Sequence, residues 1–179
     1  MVEKPLAPGS TIGILGGGQL GRMLAAAAGR LGLKSHIFCP EAGAPAFDLA
    51  AAKTIAPYDN TAALTEFASA IDVATFEFEN IPIAALRQIE ATCRVFPDEH
   101  SLAISQDRLS EKTYLHSLSL PVGAFVNVQT QEDLVRAATE IGRPAMLKTR
   151  KLGYDGKGQV KIDNDTDLSD AFDAIGRVP

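Results

Sequence analysis

Residues 11–31 read TIGILGGGQLGRMLAAAAGRL, and this stretch constrains the fold more than any other. Five β-rich residues stop at three glycines. Leu20, Met23, Leu24, Ala27 and Leu31 then recur at helical spacing until Gly32 ends the run. Gly16, Gly18 and Gly21 form GxGxxG between a predicted strand and a predicted helix. In that context glycines allow a tight turn and close ligand approach, and the helix N-terminus presents free N–H groups and a positive dipole end. A dinucleotide site would also want a carboxylate at the end of the next strand, to hold ribose hydroxyls. Cys39 stands there, with Glu41 beyond Pro40. The loop therefore leaves open a dinucleotide site, a different ligand-binding turn, or a tight turn without a ligand.

The stretches that follow alternate in period. Residues 35–39 (SHIFC) predict a strand, 45–52 a short alanine-rich helix and 53–56 a brief strand. Residues 61–70 predict a helix capped by Thr61. Strand 73–78 (VATFEF), helix 82–91 and a short strand at 94–96 complete the run. Strands alternating with helices imply parallel βαβ units and a layered α/β sheet. If 73–78 is a strand, Glu77 and Glu79 point the same way at its carboxyl end, where open α/β sheets bind ligands. The alternative is a solvated strand end in which Glu79 or Asn80 caps the next helix.

The pattern changes near residue 100. Residues 102–118 predict one polar helical connector, followed by strand 124–128, helix 130–141 and strand 144–149 (PAMLKT). Then come GYDGKGQ over 153–159, strand 159–162 and helix 166–175. Lys148 on a strand, followed by a glycine-rich hairpin carrying Lys157, suits a triphosphate; Arg150 and Lys151 add to the cluster. It is not a Walker A loop. The bland alternative is a plain β-hairpin at the Asp155-Gly156 step. The second unit is small for an autonomous core, so the chain is expected to be a fragment of a longer protein.

Net charge of −5 argues against a nucleic-acid backbone as partner. No stretch reads as a membrane span or a signal peptide, and Cys39 and Cys93 form no metal or redox motif, which suits a cytoplasmic protein with reduced thiols. His36, His100 and His116 are expected to be structural or surface residues.

In order along the chain, GILGGGQLGRM, TFEFENIP, QDRLSEK, LKT and GYDGKGQ resemble the motifs of the 5-(carboxyamino)imidazole ribonucleotide synthases, the PurK-type ATP-grasp enzymes, over residues 11–162. The resemblance implies a Rossmann-like pre-ATP-grasp parallel-sheet domain over 1–106. An incomplete ATP-grasp domain would follow over 107–179, lacking its second subdomain. It implies an ATP- and Mg²⁺-dependent carbon–nitrogen ligase of purine biosynthesis. Such an enzyme joins bicarbonate to 5-aminoimidazole ribonucleotide through carboxyphosphate. Gly17, Gly18, Gln19, Leu20 and Glu79 would line the ribonucleotide site. Arg108, Lys148, Gly153, Tyr154, Asp155, Gly156, Lys157, Gly158 and Gln159 would bind ATP. Tyr154, Asp155 and Lys157 would be catalytic, facing the reacting phosphate and the imidazole. The family usually carries arginine where Lys157 stands; the charge is kept and the bidentate fork is not. Metal ligands would lie in the missing C-terminal part, and the full-length enzyme would be a homodimer. A nicotinamide-dependent dehydrogenase explains the first loop but not Lys148 with GYDGKGQ, and a noncatalytic nucleotide-binding module is a further alternative. The chain alone is expected not to turn over: an ADP-release assay with bicarbonate, ATP and 5-aminoimidazole ribonucleotide should stay at background, and robust substrate-dependent release would overturn this.

Overall fold

The computed structural model describes residues 5–153 and 158–176. The chain divides into two compact units, 1–103 and 104–179.

The first unit is a four-stranded parallel sheet. Its strands are β1 (Thr11–Leu15), β2 (Lys34–Cys39), β3 (Ala52–Ile55) and β4 (Val73–Phe76), in the order β3-β2-β1-β4. Helix α1 (Gln19–Arg30) joins β1 to β2, and α2 (Thr61–Ser69) joins β3 to β4. A short 3-10 helix at Pro45–Leu49 replaces the helix expected over 45–52. Helices α3 (Ile83–Glu90) and α4 (Glu99–Ser105) follow. Phe38, Phe67, Leu64, Leu86 and Ile89 are fully buried in the larger core cluster. Removing one such side chain from water stabilises the unit by about 1.5–3 kcal/mol. His36 is buried beside Phe67, with Nε2 2.8 Å from Thr54 Oγ1, as fits a structural residue.

Several expectations shift. Asn60, not Thr61, caps α2, its side chain accepting the Ala63 N–H at 3.1 Å. The strand expected over 73–78 ends at Phe76, because its partner β1 ends opposite it at Leu15. Residues 94–96 form only an isolated parallel bridge between Val95 and Ala74, too short to extend the sheet as a strand. The apolar stripe of α1 faces outward: Leu20, Met23, Leu24 and Leu31 are exposed, while Gly21, Ala25 and Ala28 are buried. Periodicity identified the helix but not its inner face. Small residues win that face because a Cβ at Gly21 would collide with the Gly16 carbonyl oxygen, so the helix lies too close for larger side chains.

The second unit contains α5 (Arg108–Ser117), α6 (Gln131–Ile141), the antiparallel pair β5 (Ala145–Lys148) and β6 (Gln159–Ile162), and α7 (Leu168–Ala174). The single connector expected over 102–118 is two helices, α4 and α5. Asp107 separates them, its carboxylate accepting the Leu109 and Ser110 N–H groups to start a new helix. Thr130 starts α6 from the cap position in a capping box with Asp133. Residues 124–128 form no strand; they have no ladder partner among the described residues.

Gly21→Ala should destabilise the chain by about 1–3 kcal/mol through overpacking of α1 against the turn. Urea unfolding followed by circular dichroism measures it, and a neutral effect would contradict the close approach.

Candidate functional site

In the first unit the chain moves outward from β1 through β2 to β3, then returns to β4 on the other side of β1. The strand order reverses between β1 and β4, and ligands of open α/β sheets bind outside the carboxyl ends at such a point. Gly16 follows β1 and Glu77 follows β4, so both stand at this crevice. Gly16 has φ +114°, a value that side-chain-bearing residues rarely adopt. A Cβ on it would lie 2.7 Å from Glu77 Oε1, and one on Gly18 would lie 3.3 Å from the same oxygen. Burial raises the Glu77 pKa above its ordinary value, and the Gly18 backbone amide opposes that rise.

Glu77, then, is the carboxylate that covers the glycine turn. Glu79 lies beyond the strand end and is exposed, so the two do not share a strand face. Gly18, Gln19 and Leu20 are exposed at the start of α1. Gly17 is buried, and a Cβ there would meet Ala44 Cβ at 2.5 Å and Cys39 Sγ at 2.8 Å. Tyr58 stacks on Phe38 with ring centroids 5.6 Å apart. Its phenol is driven strongly upward by burial, then by Cys39, Glu77 and Glu41, and so stays protonated. A carboxylate over the turn and a second one near Tyr58 favour a ligand part that brings hydrogen-bond donors.

In the second unit, Lys148 ends β5 and pairs with Gln159 at the start of β6. The Thr149 N–H donates to the Gly158 carbonyl at 2.8 Å. Gly158 has φ +66°, and a Cβ there would lie 2.5 Å from Thr149 Oγ1, so glycine is required to close the turn. Tyr154, Asp155, Gly156 and Lys157 lie outside the described residues. A groove of about 470 Å³ is lined by Arg108, Lys112, Lys148 and Arg150 with Glu111, and by Phe125, Val126, Leu134, Met146 and Ile162. Lys112 Nζ sits 5.5 Å from the centre of the Phe125 ring. The groove joins an apolar wall to a cationic rim, a combination suited to a base carrying phosphates.

Arg108 donates to the Gly153 carbonyl at 2.8 Å. Arg150 makes a two-pronged contact with Asp107, at 2.6 and 3.2 Å. Arg150, one of the clustered cations near the hairpin, lines the groove and has its guanidinium engaged by the buried Asp107 carboxylate. Among the described residues, no group of three or more His, Cys, Asp or Glu could hold a metal ion. No helix among them is long and apolar enough to cross a membrane.

Residues 9–106 match the ribonucleotide synthetase preATP-grasp domain. The chain belongs to this family. Residues 113–178, behind the preATP-grasp domain, match the ATP-grasp domain. The preATP-grasp chain is similar to an N5-carboxyaminoimidazole ribonucleotide synthase of Brucella melitensis, 45% identical over 181 residues, covering 100% of this chain and 50% of that protein. It is also 48% identical over 170 residues to a bifunctional purine synthesis protein, purC/E, of Dictyostelium discoideum, covering 95% of this chain and 17% of that one. A crystal structure of N5-carboxyaminoimidazole synthetase from Staphylococcus aureus complexed with ADP superposes with a TM-score of 0.89 at 39% identity, over 95% of this chain and 46% of that one. The chain thus spans half or less of the length of the curated relatives it matches.

The sequence brings Glu77 and Glu79 forward together at the preATP-grasp crevice, the family resemblance adds Glu79, and neither singles out Tyr58. The strand register that selects Glu77 arises between distant segments, while Tyr58 carries no local signal. Asp107 was discoverable as an aspartate just ahead of a helical run. Its link to Arg150 was not.

The raised Glu77 pKa means that the folded state holds this proton more tightly than the unfolded one, so its contribution to stability falls as pH rises from the ordinary value of 4.5 through the folded value. Glu77→Gln should therefore gain stability relative to the parent between pH 4 and 7, as read from paired urea titrations. A parallel pH dependence in the two proteins would contradict it.

Proposed function

We propose that this chain carries the ribonucleotide cradle and the first half of the ATP site of an N5-carboxyaminoimidazole ribonucleotide synthase. One geometric observation carries this reading: the two glycine turns have neighbours of opposite character. Gly16–Gly18 lie under the Glu77 carboxylate. The turn that Thr149 and Gly158 close has Lys148 at its root, on a groove shared with Arg108. An acceptor-lined crevice suits ribose hydroxyls and the amine of 5-aminoimidazole ribonucleotide; a cationic hairpin suits a triphosphate. Relatives bearing that synthase name align along nearly the whole chain, which supports the same reading.

In this reading Gly17, Gly18, Gln19 and Leu20 hold the ribonucleotide with Glu79, and Glu77 joins them. Arg108, Lys148, Gly153, Gly158 and Gln159 hold ATP together with Tyr154, Asp155, Gly156 and Lys157. A bicarbonate oxygen attacks the γ-phosphorus of ATP and ADP leaves, giving carboxyphosphate. The exocyclic amine of 5-aminoimidazole ribonucleotide then attacks the carboxyl carbon, phosphate leaves, and the nitrogen gives up a proton. Tyr154, Asp155 and Lys157 orient the reacting phosphate and the imidazole. Such transfers depend mainly on positioning and charge neutralisation, which Lys148 and Arg108 supply from this chain. Mg²⁺, when bound, would neutralise phosphate charge in this chemistry; among the described residues no group of three or more His, Cys, Asp or Glu could hold it. The complete enzyme acts as a cytoplasmic homodimer on small molecules, with no nucleic-acid or membrane partner; the net charge of −5 on this chain supports the lack of a nucleic-acid partner.

Calorimetric titration of the chain tests both halves. Mg·ATP and 5-aminoimidazole ribonucleotide should each bind. Lys148→Ala should weaken ATP about tenfold, or about 1.4 kcal/mol, and leave the ribonucleotide unchanged. ATP affinity indifferent to Lys148, or no ribonucleotide binding, would overturn the proposal.

A further inference from the structure

The segment leaving β5 is fastened to the start of α5 at three points. The Arg108 N–H donates to the Arg150 carbonyl at 2.9 Å. The Arg150 guanidinium grips Asp107 with its Nε and Nη2. The Arg108 guanidinium holds the Gly153 carbonyl. Asp107 is 6% exposed and accepts four N–H groups, two from Arg150 and two from the first turn of α5. Burial alone would raise its carboxyl pKa; Arg150 and the amides of Ser110 and Leu109 outweigh that and hold it below the ordinary carboxylate range. The pair therefore remains ionised.

A buried ion pair is a poor source of stability, since apolar side chains of the same volume often serve as well. What it supplies is direction: a guanidinium fork on a carboxylate fixes angle as well as distance. Here it fixes Arg150, and with it the backbone between Lys148 and Gly153, against a helix start that Asp107 itself creates. We infer that Asp107 is a positioning residue for nucleotide binding: through Arg150, which itself lines the groove, it sets the approach of Gly153 and the Thr149–Gly158 closure. The inference rests on the hairpin being the nucleotide site.

Two conservative variants separate positioning from folding. Asp107→Asn keeps a good cap for α5 and loses the charge pair; Arg150→Lys keeps the charge and loses the fork. Amide hydrogen exchange should quicken about tenfold at Thr149–Gly153 in both variants, while α6 and the first unit stay unchanged. Mg·ADP affinity by calorimetry should fall about tenfold in each. Unchanged exchange at Thr149–Gly153, or a uniform rise across the described part of the second unit, would overturn the anchoring. Faster local exchange with unaltered Mg·ADP affinity would overturn the positioning role. If the parent chain binds no Mg·ADP, the nucleotide reading and the positioning role both fall, and the exchange data alone decide whether the anchor exists.

Discussion

The first unit depends on how closely α1 lies against the turn that precedes it. No Cβ fits between Gly21 and the Gly16 carbonyl. That approach places the first turn of α1 at the carboxyl end of β1, and it makes Gly21, Ala25 and Ala28 the inner face of the helix. Because β4 pairs on the opposite side of β1 from β2, the same turn also borders the end of β4. Loosening this contact would displace the helix, the turn and the carboxylate above it together.

The two turns of the chain show how little a glycine motif says by itself. Each uses a glycine at positive φ where a Cβ would strike a neighbour: Glu77 beside Gly16, Thr149 beside Gly158. Their chemistry comes from what surrounds them. At the first, the Glu77 carboxylate stands against Gly16 and Gly18. At the second, cations gather around an apolar wall. Steric need creates the backbone geometry, and side chains from elsewhere in the sequence give it a sign.

Local patterns revealed much of this fold. Strand–glycine–helix at 11–31, the proline-bounded helix after Asn80, and lysine before a glycine hairpin all carry their signals within a few residues. What stayed hidden depends on partners far along the chain. The outward stripe of α1 has the same spacing as an inward one, so only contact with the Gly16 turn decides the face. The early end of β4 is set by the length of β1, and residues 124–128 have strand-forming composition without a ladder to join. Glu77 and Glu79 differ by two positions in sequence, yet Glu77 is half-buried against the turn and Glu79 is exposed. Arg150 is a cation by composition, and its engagement with Asp107 across 43 positions leaves no trace in either neighbourhood.

The glycines of the first turn answer to different neighbours: Gly16 to the end of β4, Gly17 to Cys39 and Ala44, and Gly21 to the chain's own carbonyl. Each is held in place by bulk already present in the protein. A descendant that had lost every ligand of this crevice would still be obliged to inherit the same glycines, so the motif testifies to ancestry and architecture before it testifies to binding.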